Sequence, residues 1–220
     1  MNVSQLHRGM PNYPDRLIVQ LGDQAPSILW VSGNQEILHR LDDEKYFSLA
    51  LVASVDSPVS IFQPTLDTVH SLCDGTTVFV GGFHSPLEKL CLQQLLRERQ
   101  SVVICFARTL VRMKLPSTWQ RSLEEGRLLL LSPFPHTHRR PTLETARVRN
   151  ELVAALSAGV LIAFAATGSK TEQFCQSLLK RGKPVWAINC LDNGPLLSLG
   201  IPAYRSGAFG PMRQKPAVEG

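Results

Sequence analysis

Several kinds of segment are missing from these 220 residues, and each absence argues against one class of protein. No run approaches the roughly 18 consecutive apolar residues of a membrane-spanning helix, and the polar stretch 1–15 lacks the apolar core of a secretory signal. No G-x-S-x-G elbow, P-loop, H-E-x-x-H pair or complete G-x-G-x-x-G is present. We therefore expect a cytoplasmic protein without a membrane anchor. The sequence argues against a serine hydrolase, an NTPase, a metalloprotease and a classical dehydrogenase.

Cysteine is scarce, and its spacing suggests neither disulfides nor a metal centre. The five cysteines are odd in number and contain no C-x-x-C pair; they are Cys73, Cys91, Cys105, Cys175 and Cys190. Four of them lie in apolar runs, which predicts buried free thiols in a reducing compartment. His136 and His138 have the spacing of a metal pair, but no third ligand lies at a fitting distance along the chain. We expect no metal and no cofactor.

The overall composition is that of a folded protein with a mild positive charge. Hydrophobic residues make up 44% of the chain and charged residues 19%, which is enough apolar material for a sizeable core. The formal net charge of +5 favours polyanionic partners.

Short apolar runs alternate with helix-length amphipathic segments. The apolar runs are nearly continuous, as in strands that are covered on both faces, and they are 47–55, 77–81, 101–107, 127–131, 159–165 and 184–189. The predicted helices between them are 62–72, 85–99, 117–126, 142–158 and 169–181. Ser85, Ser117 and Ser169 each begin a capping-box pattern. This alternation predicts a single α/β domain with a doubly wound, mostly parallel sheet.

The regular alternation does not extend over the whole chain. We interpret residues 1–45 as an N-terminal extension with a possible edge strand at 27–32, and residues 46–205 as the α/β domain. The segment 206–220 is rich in glycine and proline, and we expect it to be a flexible tail.

Ligands of an open α/β sheet bind beyond the carboxyl ends of its strands, where the following helices begin. Gly82 and Gly168 lie in two such turns, where a missing side chain would let a phosphate approach backbone amides. Ser169 and Thr171 add hydroxyl donors. The same glycines would also ease an ordinary strand-to-helix turn, and the serine would cap a helix without any ligand.

A basic stretch follows the strand predicted at 127–131. It contains Arg139 and Arg140 in a proline-flanked loop and Arg147 and Arg149 on the next predicted helix. Guanidinium groups suit phosphate oxygens, so the stretch could follow a nucleic-acid backbone, although a solvated charged face would have the same composition. Because Arg147 and Arg149 are two residues apart on a helix, they point about 200° apart and cannot both face one ligand.

Several segments in order resemble the DNA-processing protein A (DprA) family. They are Tyr13-Pro14, the segments 28–34 and 131–135, the string that begins at Arg147 and includes Arg149-Asn150, then 167–170 and 182–188. The resemblance covers roughly residues 13–204. It implies an extended Rossmann-like fold, binding of single-stranded DNA, dimerisation and loading of a RecA-type recombinase.

The resemblance also marks where this chain departs from the family. Ala53-Ser54-Val55 stands where the family has Gly-Ser-Arg, so an arginine expected to bind a DNA phosphate is absent. The family's Tyr-Pro-Lys lysine falls near Lys114. The expected phosphate-binding residues are accordingly Lys114, Arg139, Arg140, Arg147, Arg149, Asn150, Gly82, Gly168, Ser169 and Thr171.

A second resemblance concerns the turn Thr167–Glu172, which is similar to the Gly-Gly-x-Gly-Thr-x-x-Glu turn of nucleotide phosphoribohydrolases. It would make Glu172 catalytic, although the capping-box pattern also accounts for this residue. The hypothesis that fits most of the residues is a DNA-processing protein that binds single-stranded DNA and is not an enzyme. A sensor that binds a nucleotide, and the phosphoribohydrolase, are the alternatives.

Overall fold

The computed structural model describes residues 2–208. Its strands are β1 (Ser4–His7), β2 (Ile28–Gly33), β3 (Phe47–Ala53), β4 (Thr77–Gly81), β5 (Ser101–Cys105), β6 (Leu128–Ser132), β7 (Gly159–Phe164) and β8 (Val185–Ala187). Its α-helices are α1 (Asp15–Leu21), α2 (Glu36–Asp42), α3 (Phe62–Ser71), α4 (Pro86–Arg97), α5 (Ser117–Glu124), α6 (Leu143–Leu156), α7 (Lys170–Lys180) and α8 (Gly194–Ser198). Each predicted strand and helix of the α/β alternation is present, with ends that differ by up to two residues.

All eight strands form one sheet in the order β1-β2-β6-β5-β4-β3-β7-β8. The six strands from β6 to β8 are parallel, whereas β1 and β2 pair antiparallel at one side. Successive strands move from β3 towards β6, and the chain then returns to place β7 on the other side of β3. The predicted doubly wound, mostly parallel sheet is confirmed, and its strand order reverses between β3 and β7.

The helices cover both faces of the sheet, which explains the continuous apolar runs in the strands. On one face α1, α2, α6 and α7 bury a cluster that includes Leu152 and Leu178. On the other face α3, α4 and the more weakly packed α5 bury a cluster that includes Phe79 and Leu95. Each residue of β3, β4 and β6 is buried, because the side chains that alternate along these strands meet helices on both sides.

The cysteines of the described residues are all free. Cys91, Cys105 and Cys175 are buried, whereas Cys73 and Cys190 are only partly buried. Burial raises the pKa of the three buried thiols to about 12, so they remain protonated and unreactive at neutral pH. Within residues 2–208, no helix combines the length and the apolar character needed to cross a membrane.

The structure corrects two local predictions. The strand expected at an edge is β2, which lies second in the sheet because β1 pairs along its outer side. Ser117 does not cap its helix; α5 begins after Pro116 without a side-chain cap. The predicted tail, 206–220, lies outside the described residues from position 209 onward.

Arg16 of α1 connects the N-terminal segment to β3 and to the end of α6. Arg16 donates hydrogen bonds to the Leu156 carbonyl (3.0 Å) and to the Ser48 hydroxyl (2.6 Å), and it pairs with Asp42 (2.7 Å). Lys183 donates to the Ser157 carbonyl. Because the last carbonyls of a helix carry partial negative charge, the Arg16 guanidinium stabilises the carboxyl end of α6.

Lys183 provides a test of this arrangement through the pH dependence of stability. Burial, with the charges of Arg16 and Arg181, lowers the pKa of Lys183 from 10.5 to about 8. Between these two values the unfolded chain binds the extra proton, so the folded state should gain stability as the pH rises. We expect the free energy of unfolding of the wild type, minus that of Lys183→Met, to rise by roughly 1 to 2 kcal/mol from pH 7 to pH 10.5, after allowance for solvent screening.

Urea unfolding of both proteins at several pH values measures this difference. Subtracting the variant removes the contributions of the tyrosines and thiols, which titrate over the same range. Two stability curves that stay parallel from pH 7 to pH 10.5 would show that Lys183 is not buried as described.

Candidate functional site

Ser54 joins the ends of β3 and β7 at the point where the strand order reverses. Ser54 follows β3 directly and is buried. Its amide donates to the Phe164 carbonyl (2.9 Å) at the end of β7, and its hydroxyl accepts from the Ala166 amide (3.3 Å). Val55, which stands in place of the arginine that the family resemblance implies, is exposed. The strand reversal therefore has a serine bridge between β3 and β7 and no positive charge at position 55.

A buried carboxylate joins the end of β3 to the start of α4. Glu88 is 3% exposed and accepts hydrogen bonds from the amides of Ala53 (3.0 Å), His84 (2.8 Å) and Ser85 (3.1 Å). In return the Ser85 hydroxyl accepts from the Glu88 amide (3.2 Å), which completes the predicted capping box. Glu88 thus fixes two neighbouring turns of the edge with one side chain.

The pKa of Glu88 reflects opposing influences. Burial raises this pKa. The hydrogen bond and charge of His84, whose Nδ1 lies 3.0 Å away, lower it, as do the amides of Ala53 and Ser85, and together they outweigh the effect of burial. The net effect is a pKa below the ordinary value, so Glu88 is ionised at neutral pH. Several hydrogen-bond donors around a carboxyl group stabilise its ionised form.

Arg149 lies beneath the edge, next to this carboxylate. It is 4% exposed, its Nη2 lies 3.4 Å from His84 Nδ1, and its buried Nε has no hydrogen-bond partner among the described residues. Burial lowers its pKa, while the charge of Glu88 raises it. A Cβ atom on Gly82 would stand 1.7 Å from Arg149 Nη1. The guanidinium occupies the space that the glycine leaves open.

The predicted divergence of the two helix arginines is confirmed by their burial. Arg147 is exposed on α6 and pairs with Glu144 (2.7 Å), whereas Arg149 is buried. Asn150, the next residue of α6, is partly buried. Arg149 therefore supports the edge from within, while Arg147 lies at the surface with its charge partly neutralised.

In the turn before α7, backbone amides donate hydrogen bonds to nearby side chains of the same segment. Gly168 adopts a positive φ of 73°, and its amide donates to the Glu172 carboxylate (2.7 Å). The Ser169 hydroxyl accepts from the Glu172 amide (3.1 Å), and Thr171 is partly buried. Glu172 thus occupies the place at the helix start that a phosphate would take. This engagement leaves the carboxylate as a capping group, which does not favour the catalytic role of the phosphoribohydrolase alternative.

A basic pocket of about 370 Å³ opens beyond the ends of β5 and β6. Arg108, Arg112 and Arg139 line it together with His136, and no carboxylate of residues 2–208 is among the lining side chains. Among residues 2–208, none of the three arginines forms an ion pair. The pocket therefore presents free guanidinium groups at the edge where this fold binds ligands.

Backbone contacts hold the two loops of the pocket together. The Ser132 hydroxyl donates to the Arg108 carbonyl (2.7 Å), and the Thr109 amide donates to the His138 carbonyl (2.8 Å). Arg112 has a φ of 61°, in the left-handed region that a non-glycine residue rarely adopts. The loop geometry is thus fixed from both sides of the pocket.

Only part of the predicted phosphate-binding set surrounds this pocket. Arg139 lines it, whereas Lys114 and Arg140 are exposed nearby in the same two loops and are not lining residues. Gly82 lies over Arg149, and the turn at Gly168 belongs to the other side of the sheet reversal. Sequence reasoning missed Arg108 and Arg112, although both lie in the loop that follows β5 at the ligand-binding edge. The described residues contain no cluster of three or more His, Cys, Asp or Glu side chains that could hold a metal.

The doubly wound sheet with a basic pocket at its carboxyl edge defines a Rossmann-like protein equipped for anionic ligands. A family model for DNA recombination-mediator protein A matches residues 5–194. The chain belongs to this family, as the motifs in the sequence suggested.

Two solved structures show the same fold. DNA processing protein A from Streptococcus pneumoniae is 20% identical, with a TM-score of 0.74 over 94% of this chain and 72% of that chain. DNA processing protein A from Helicobacter pylori, described for its single-stranded DNA binding mode, is 20% identical, with a TM-score of 0.70 over 91% of this chain and 89% of that chain. A search of curated proteins gave no match.

The close approach of Arg149 to Gly82 can be tested by adding a methyl group. Gly82→Ala should displace the guanidinium from Glu88 and His84 and destabilise the fold by about 1 to 3 kcal/mol. In an Arg149→Ala background the same change should cost little, which gives a coupling energy of about 1 to 3 kcal/mol in a double-mutant cycle. Chemical denaturation of the four proteins measures these values.

Gly194 offers a matched control, because a Cβ atom there meets nothing within 4 Å. Gly194→Ala should change stability by less than about 0.5 kcal/mol. Additive effects of Gly82→Ala and Arg149→Ala would be incompatible with the described contact.

Proposed function

We propose that this protein binds single-stranded DNA through its phosphate backbone, at the carboxyl edge of the sheet. The basic pocket is the centre of the site, with Arg108, Arg112 and Arg139 as the phosphate ligands. The observation that carries the proposal is the group of arginines at this edge that have no ion-pair partner within residues 2–208. Free guanidinium groups bind phosphate oxygens strongly and release the counterions that surround a nucleic acid.

Family membership supports the choice of DNA over other anions. The chain belongs to the DNA recombination-mediator protein A family, and the Helicobacter pylori relative is described as binding single-stranded DNA. The exposed cations Lys114, Arg140 and Arg147 lie on the same loops or on the following helix, and we propose that they extend the basic surface.

We propose that binding depends little on base sequence. Phe83 and Phe134, which lie in two turns of this edge, are 5% and 8% exposed and belong to the packed interior. Arginine contacts to phosphates do not distinguish bases. The pocket thus provides charge, while neither of these two rings is exposed enough to stack on a base.

The proposed partners beyond DNA follow from the family alone. We propose that a RecA-type recombinase and a second copy of this chain are its protein partners. Light scattering of the purified protein and a binding assay with purified recombinase, each with and without single-stranded DNA, would test the two partners separately.

The pocket arginines can be tested by the salt dependence of binding. Arg112→Ala/Arg139→Ala should weaken binding of a fluorescent oligothymidine about tenfold or more at low salt. A single-stranded site loses about 0.7 units of log–log salt slope for each phosphate contact removed, so the slope should flatten by about 1.4. Other base compositions should show the same change, since the lost contacts are to the backbone. Fluorescence anisotropy at several salt concentrations measures both quantities.

Lys45→Ala/Lys180→Ala is the matched control. It removes the same charge from exposed residues that precede β3 and end α7, at the opposite edge of the sheet. An equal effect of the two double variants would mean that net charge, and not the pocket, governs binding. If single-stranded DNA does not bind at low salt but a nucleotide does, the sensor function replaces this proposal.

A further inference from the structure

A second basic surface lies away from the pocket, in a groove of about 700 Å³ between α4 and α5. We call it the arginine groove. It is bounded by the last turns of α4, by α5 and by the start of β6, and its apolar lining comes from Leu96 and Trp119. Helix α4 packs against α3 on its other side, whereas α5 packs mainly against β6. The space between α4 and α5 is therefore open to a ligand.

The arginine groove carries more positive charge than its acidic residues neutralise. Arg97, Arg99, Arg121 and Arg127 line it. The last three converge on the single carboxylate of Glu125, with distances of 3.3 Å from Arg99 and 2.8 Å from Arg121.

The geometry leaves these arginines able to bind a further anion. Hydrogen bonds from Arg121 and Arg127 lower the pKa of Glu125 to about 2, so one full negative charge is shared by the three arginines that contact it. Arg97 has no ion-pair partner among the described residues, and the buried Nη1 of Arg127 has no hydrogen-bond partner there. Arg99 and Arg121 remain 60% and 76% exposed despite their contact with Glu125.

One aromatic contact connects the arginine groove with the basic pocket. Trp119 is partly buried, and its ring centroid lies 6.4 Å from that of Phe106. Phe106 directly follows β5 and begins the loop that carries Arg108 and Arg112. The same loop continues to Ser117, whose helix forms one wall of the groove. One chain segment thus borders both sites.

We propose that the arginine groove holds the continuation of a single strand of DNA whose first nucleotides occupy the basic pocket. This inference rests on the proposed function. Arg97 and Arg121 bind phosphates, and Trp119 offers its ring face to a base. Such a strand follows α5, which is about 12 Å long, from the loop of the basic pocket towards the last turns of α4.

Nucleic acid fits the arginine groove better than an acidic protein does. Protein partners are held mainly by several apolar anchors in closed pockets. The groove instead combines one aromatic ring, a row of guanidinium groups and the hydroxyls of Ser117 and Thr118. A positive groove with an aromatic platform is the pattern of single-strand binding without sequence preference.

Oligonucleotide length provides the test. Arg97→Ala/Arg121→Ala should weaken binding of an oligothymidine of about 20 nucleotides five- to twentyfold and flatten its salt slope by about 1.4. Binding of an oligothymidine of about 6 nucleotides should stay within twofold of the wild type, because the basic pocket holds it alone. Arg112→Ala/Arg139→Ala should weaken both lengths, and Lys45→Ala/Lys180→Ala neither.

Tryptophan fluorescence gives an independent measurement. Only the longer oligonucleotide should quench the emission that Trp119→Phe removes, since stacking needs a strand that reaches the groove. Circular dichroism checks that each variant is folded.

The possible results separate this inference from the proposed function. If the long oligonucleotide binds Arg97→Ala/Arg121→Ala as tightly as the wild type, the groove is not part of the DNA path. Binding of an acidic protein that this variant loses, with DNA binding intact, would also overturn the inference. Failure of the wild type to bind either length would contradict the proposed function itself.

Discussion

The edge of the sheet depends on one buried negative charge and the groups arranged around it. Glu88 receives three backbone amides from two turns and lies close to His84 and Arg149. A buried carboxylate is tolerated only when donors and a counter-charge compensate for its lost hydration. The absent side chain of Gly82 gives Arg149 the room to supply that charge. The turn geometry, the glycine and the buried arginine are consequences of the same electrostatic requirement.

Much of the fold could be predicted from the sequence, because the apolar runs and the capping residues are local signals. Strands buried on both faces have no polar alternation, and Ser85 with Glu88 forms the expected capping box. Ser117 failed as a cap because Pro116 already provides the extended residue before α5. The position of β2 inside the sheet could not be predicted, since it depends on pairing with β1 and β6, which are distant in the chain.

The candidate site was harder to predict, because residue type does not show whether an arginine is buried, paired with a carboxylate or free to bind a ligand. The helix period separated Arg147 from Arg149, but it could not show that Gly82 makes space for a guanidinium. Arg108 and Arg112 belong to no recognisable motif and were not predicted, yet they line the basic pocket with Arg139. What distinguishes the arginines is their pairing: those of the pocket have no ion-pair partner within residues 2–208, while Arg147 has Glu144. Pairing is a tertiary property.

The two ends of the sheet limit how copies of this protein can associate. At one end β1 offers four residues, and at the other the backbone of β8 is already engaged, since Ala187 exchanges hydrogen bonds with Pro202 (3.0 Å) and Tyr204 (2.7 Å). A long unpaired strand would invite another sheet to extend it, with aggregation as the result. Here neither border provides such a template among the described residues. Another sheet could pair only with the four residues of β1, so helix and loop surfaces offer the larger area for contacts between copies.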